Sequence, residues 1–129
     1  MTRTALATPD APKAIGPYSQ GILADRLVFC SGQLGLDPAT GQLVEGGVVA
    51  QAERALGNLR GVLAAAGCTF ADVVKMTVYL ADINDFPVVN EVYAIFMADP
   101  PPARSTFAVG ALPKGGLIEI EAIAVQPGR

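Results

Sequence analysis

Leu117-Ile118-Glu119-Ile120-Glu121-Ala122-Ile123-Ala124-Val125-Gln126 alternates along its whole length. Successive side chains of an extended chain point to opposite faces, so Ile118, Ile120, Ala122 and Ala124 share one face. Glu119, Glu121, Ile123 and Val125 share the other. The first face is wholly apolar. The second opens with two carboxylates and returns to apolar residues, so it reads as half-buried, consistent with a subunit interface. One strand of a sheet with two differently covered faces is therefore predicted here.

Upstream, Val74, Met76, Val78 and Leu80 alternate with Lys75, Thr77 and Tyr79, a second strand with one buried face. Arg104 to Val109 reads as a third. Between them, Asn84 and Asp85 can cap a helix, Pro87 is tolerated in its first turn, and Val89, Val92, Tyr93 and Phe96 supply its inner stripe. Pro100, Pro101 and Pro102 forbid its continuation. A longer helix is predicted from about Gly47 to Ala66, where Ala52, Leu56, Leu59 and Leu63 form a stripe and Gln51, Glu53, Arg54 and Arg60 fall largely away from it. Gly67 suits the left-handed position that ends a helix. Tyr18 to Leu23 and Leu27 to Gln33 read as a hairpin around Ala24-Asp25-Arg26, and Asp37-Pro38-Ala39-Thr40-Gly41 as a turn. Pro9, Pro12 and Pro17 predict an irregular arm over the first seventeen residues.

The predicted order is β-β-α-β-α-β-β with two hairpins, a layered α and β domain across residues 1–129 in which a mixed sheet carries two helices on one face. Two helices leave the other face uncovered, and a second subunit is the expected cover. Composition agrees: 51% of the 129 residues are hydrophobic and only 16% charged, which excludes a disordered chain and leaves little charge to cover a small monomer.

Nine basic against twelve acidic residues give a net charge of −3, and the basic ones form no run, so nucleic acid is not an expected partner. No apolar stretch is long enough to span a bilayer, and Met1 to Pro12 lacks the apolar core of a secretory signal, so the expected location is the cytoplasm. Histidine is absent, which excludes His-based triads, paired-His ribonuclease chemistry and HExxH zinc sites. Cys30 and Cys68 are too few for a disulfide framework or a four-cysteine zinc site. No phosphate-binding glycine motif is present, so no nucleotide cofactor is implied.

Arg104 is the first candidate for chemistry. It opens an apolar strand just after Pro102-Ala103, and its planar fork suits a carboxylate. The blander reading pairs it with Glu119 or Glu121. Those two glutamates lie about 7 Å apart on one strand face, where mutual repulsion on the order of 2 kcal/mol opposes joint ionisation. One of them could position or activate a water. In Gly16-Pro17-Tyr18-Ser19-Gln20-Gly21, Tyr18 is a phenol on a rigid turn; a purely structural turn is the commoner reading. Ser31, in Cys30-Ser31-Gly32-Gln33, has no base to activate it but is a fair hydrogen-bond donor, and Gly32 permits a bulge. Cys30 reads as a small buried hydrophobe, and Asn90 most simply as a surface polar residue.

The ordered set Ala14-Ile15-Gly16-Pro17-Tyr18-Ser19-Gln20-Gly21, Ser31-Gly32-Gln33, Asn84-Asp85-Phe86 with Val89-Asn90 and Tyr93, Pro102-Ala103-Arg104-Ser105, Leu112-Pro113 and Ile118 to Ala122 resembles the RidA (YjgF-type) family of imine deaminases over nearly the whole chain. The resemblance implies a chorismate-mutase-like α+β fold and a homotrimer, its three sheets forming a central barrel with sites between subunits. It implies hydrolysis of reactive 2-imino or enamino acids, such as 2-iminopropanoate and 2-iminobutanoate, to 2-keto acids and ammonia, with no cofactor and no metal. In that reading Arg104 clamps the substrate carboxylate and Glu119 holds the attacking water. Tyr18, Ser31, Asn90 and the backbone at Thr106 line the pocket. Thr106 stands where many members carry cysteine, and the segment from Met97 to Pro102 is shorter than in some, with three prolines. The competing expectations are a translation inhibitor or endoribonuclease, and a non-catalytic module that binds small acids or acts as a holdase.

Overall fold

The computed structural model describes residues 2–128. Among them the strands are β1 (Arg3–Leu6), β2 (Gly21–Ala24), β3 (Leu27–Leu34), β4 (Val73–Leu80), β5 (Ala103–Ala108) and β6 (Ile118–Val125), and the α-helices α1 (Gly47–Ala65) and α2 (Phe86–Phe96). The strands form one mixed sheet in the order β1-β2-β3-β6-β4-β5. Only the β4–β5 pair is parallel among these; the others run antiparallel.

β6 behaves as its alternation requires. Ile118, Ile120 and Ala124 are fully buried and Ala122 nearly so, while the intervening residues are half-buried. The first face packs on α1, whose Ala52, Leu56, Leu59 and Leu63 are at most 1% exposed. Each fully buried leucine contributes roughly 1.5–3 kcal/mol relative to exposure. Val89, Val92 and Tyr93 of α2 join the same core. Gly67 closes α1 with φ +73°, its N–H bonded to the Ala64 carbonyl, as the left-handed helix end requires. The Asp37 turn is held by its carboxylate, which accepts the Ala39 N–H at 2.8 Å.

Several expectations are corrected. The N-terminal arm is not irregular throughout: Arg3–Leu6 pairs with β2 as an edge strand. All three prolines lie beyond it, and only Leu6 is buried, so four residues leave no legible period. The last two strands do not form a hairpin. β6 inserts between β3 and β4, and β5 runs beside β4 at the sheet edge. The burial explains the order, because β6 is covered enough for a central strand while no residue of β5 is fully buried. Val74 is 49% exposed rather than inward, because a register shift between Val73 and Lys75 puts Val73 in its place. Gln51 is buried, its Oε1 accepting the Leu117 N–H at 2.8 Å. Asp85 makes no side-chain cap on α2; Asp82 instead caps the preceding turn through the Asn84 N–H.

Candidate active site

Arg104 stands opposite Met76 across the β4–β5 pair, and Thr106 opposite Val78. Met76 and Val78 face the core, so Arg104 and Thr106 lie on the helix side of the sheet. There α2 presents Phe86, Asn90 and Tyr93, spaced four and three residues apart and therefore on one helical stripe. Arg104 Nη1 donates to Asn90 Oδ1 at 2.7 Å. The guanidinium carbon sits 4.6 Å from the centre of the Tyr93 ring and 5.3 Å from that of Phe86. Arg104, Asn90 and Tyr93 line a cleft of about 720 Å³ together with Met97, Pro101 and Pro102. Tyr93 Oη and Thr106 Oγ1 are buried without a hydrogen-bond partner among the described residues. Burial pushes the Tyr93 phenol up, against the opposing pull of the Arg104 charge.

Glu119 lies on the other side. It pairs with Tyr79 of β4, and Glu121 with Thr77, on the sheet face that no helix covers. Burial, and then the neighbouring Glu121 charge, hold the Glu119 carboxyl above its ordinary value. The carboxylate rests on the backbone of Gly32, where a Cβ would stand 2.6 Å from Glu119 Oε2. A side chain at that bulge would have to push the Glu119 carboxylate aside. Burial first, then the hydrogen bond and charge of Glu121, push the Tyr79 phenol up, offset in part by Thr77. Leu27, Phe29 and Phe107 are 41–45% exposed, and Phe29 and Phe107 share the open face with Glu119.

The structure therefore keeps Arg104 apart from Glu119 and Glu121, and the reading that paired them is corrected: Asn90 is the arginine's partner. Asn90 is not an idle surface residue. Ser31 Oγ donates to the Ser19 carbonyl at 2.6 Å, stapling the Tyr18 loop to β3. Tyr18 is 55% exposed on that loop. Cys30 is buried and its thiol is pushed up to about 12, chiefly by burial and then by Cys68, which suits the inert reading. Sequence reasoning missed Gln20, whose side chain is buried and binds the Thr8 N–H and the Thr8, Ala11 and Pro12 carbonyls. It also placed Phe86 in no role; its spacing to Asn90 and Tyr93 was the available signal.

Residues 8–126 match the family model described as Endoribonuclease L-PSP. The goat protein named 2-iminobutanoate/2-iminopropanoate deaminase is 59% identical over 126 residues, covering 98% of this chain and 92% of the relative. The human protein of the same name is 55% identical over the same shares. Among solved structures, RidA from an Antarctic Psychrobacter is 46% identical with a TM-score of 0.91, covering 95% of this chain and 98% of that one. E. coli TdcF with bound serine is 42% identical with a TM-score of 0.90, covering 96% and 99%. On the matched residues and this identity, the chain belongs to the Endoribonuclease L-PSP family, the RidA or YjgF group that its sequence resembles.

Proposed function

We propose that the protein is a 2-iminobutanoate/2-iminopropanoate deaminase, hydrolysing small 2-imino acids to 2-keto acids and ammonia. The observation that carries the reading is identity of 55–59% over 98% of the chain with five mammalian proteins of that name. The site chemistry supports it. Asn90 occupies one N–H of Arg104, and four remain for the substrate carboxylate. Charge-assisted bonds of that kind contribute roughly 1.5–3 kcal/mol each. The iminium carbon is already electrophilic, so a positioned water suffices for attack. Glu119 takes the proton of that water as its oxygen bonds to the carbon. Protonated Glu119 returns that proton to the carbinolamine nitrogen, the C–N bond breaks to release ammonia, and the hydroxyl gives its proton to solvent as it becomes the carbonyl of the keto acid. A carboxyl held above its ordinary value is a stronger base for this step. Tyr18, Ser31 and the backbone at Thr106 line the pocket, and no cofactor or metal takes part.

Arg104 and Glu119 face opposite sides of one sheet, so the site is completed by two copies, one giving the clamp and the other the water-holding carboxylate. We infer a homotrimer of the chorismate-mutase-like kind, its three open faces turned inward as a barrel. The half-exposed Phe29 and Phe107 on that face support the inference. Residues 1–129 act as one RidA-like domain, and the cytoplasm is the working compartment. No described helix is long and apolar enough to cross a membrane.

The test is keto-acid release from 2-iminopropanoate and 2-iminobutanoate generated in place by a dehydratase. Wild type accelerates release over spontaneous hydrolysis. Failure to accelerate either imine would overturn the reading. An RNA-cleaving activity has less support, since the chain is acidic and has no histidine.

A further inference from the structure

We propose that Phe86 and Tyr93 are positioning residues for the reaction: their ring faces form an aromatic cradle that fixes the plane of the Arg104 guanidinium for the substrate carboxylate. The proposal rests on the reading of Arg104 as the carboxylate clamp. An arginine has a long flexible stem, and β5 lies at the sheet edge, so nothing in the strand itself fixes the guanidinium. One hydrogen bond to Asn90 holds one nitrogen and leaves the plane free to swing about it. Asn90 is itself exposed on α2. The two rings remove that freedom. A guanidinium within about 6 Å of a ring centre is attracted to the ring's negative face, and the distances here are 4.6 Å for Tyr93 and 5.3 Å for Phe86.

One helical stripe brings three such different residues to the same guanidinium. Phe86, Asn90 and Tyr93 stand at i, i+4 and i+7 on α2, so one rigid element carries all three contacts. Tyr93 is 6% exposed and anchored in the core, which makes its ring a fixed reference rather than a mobile contact. Its hydroxyl meets no partner among the described residues, so the ring face, not the oxygen, is the part that holds Arg104. Because the clamp grips a carboxylate that substrate, transition state and product all carry, the cradle acts on binding more than on turnover.

The experiment measures KM and kcat for 2-iminopropanoate, competitive inhibition by the product pyruvate, and thermal unfolding. It uses wild type, Arg104→Ala, Phe86→Leu, Tyr93→Leu and Tyr93→Phe. The cradle predicts that Phe86→Leu and Tyr93→Leu raise both KM and the pyruvate inhibition constant, roughly three- to thirtyfold. It predicts kcat within about twofold of wild type, as for loss of uniform binding. Tyr93→Phe keeps both constants within about twofold, because the ring remains. If the leucine variants lower only the unfolding temperature and leave both constants unchanged, the rings are merely core and the cradle is wrong. If Tyr93→Phe weakens pyruvate as much as Tyr93→Leu does, the hydroxyl is the working group and the cradle is equally wrong. Phe86 is only half-buried, so Phe86→Leu decides the matter if Tyr93→Leu does not fold. Should Arg104→Ala itself leave the pyruvate constant unchanged, the failure lies in the clamp reading beneath.

Discussion

The helix side of β5 and the open face of β6 both carry a charged group, and the two surroundings are built in opposite ways. Arg104 is gripped by side chains: an amide at 2.7 Å and two aromatic rings, all from one helix. Its charge needs no burial to be held in place. Glu119 is gripped by backbone and by shape. A glycine bulge lies beneath it, while partial desolvation and then the carboxylate of Glu121 beside it raise its proton affinity. The first environment keeps a cation oriented. The second makes an anion less content to be one. A clamp needs orientation, and a base needs proton affinity, so each surrounding suits one half of an imine hydrolysis.

The sharpest way to break this division is to exchange charge for shape at each half. Glu119→Gln keeps the volume and removes the proposed base. It is predicted to lower kcat on the order of 100-fold or more while KM stays within about threefold, in steady-state kinetics. An equal loss of substrate affinity would make Glu119 part of the binding apparatus instead. Arg104→Ala should act mainly on binding, lowering kcat/KM by roughly 10- to 100-fold with the fold retained by circular dichroism. Wild-type turnover in that variant would remove the clamp assignment.

Gly32→Ala tests the backbone seat. A methyl placed 2.6 Å from Glu119 Oε2 must push the carboxylate aside. With Glu119 as the proposed base, its misplacement predicts a loss of about tenfold in kcat with little change in KM. The smallest effect is on pH dependence. Glu119 must be ionised to act as base, so activity rises with pH through its raised value. Glu121→Gln removes the second cause of that rise, so the acid limb of the pH–rate profile should move to lower pH. A limb that stays in place, or moves up, would mean that Glu121 does not tune the base.

Much of this was legible in the sequence, and the illegible parts share a cause. The β6 alternation, the α1 stripe and the Gly67 helix end each depend on residues close together in the chain, where periodicity speaks directly. The place of β6 between β3 and β4 does not, because strand order is set by how much surface each strand can bury against distant neighbours. The bulge that turns Val74 outward is a pairing event with β6 and leaves no mark in β4 alone. Gln51 reads as a surface residue from helical phase, but tertiary contact with Leu117 buries it. At the site, residue types pointed to Arg104 and to the pair Glu119 and Glu121, and only the family resemblance singled out Glu119. Their opposite faces follow from register against Met76 and Tyr79, which only pairing reveals.

The central claim is that one copy supplies the clamp and another the base. Mixing Arg104→Ala and Glu119→Gln proteins under conditions that exchange subunits tests it most directly. If each site of a trimer draws Arg104 and Glu119 from different copies, every mixed trimer contains about one intact site in three, and deaminase activity at substrate below KM rises well above that of either impaired parent. If mixing restores no activity although mass spectrometry shows that mixed trimers have formed, both residues act within one chain and the account is contradicted.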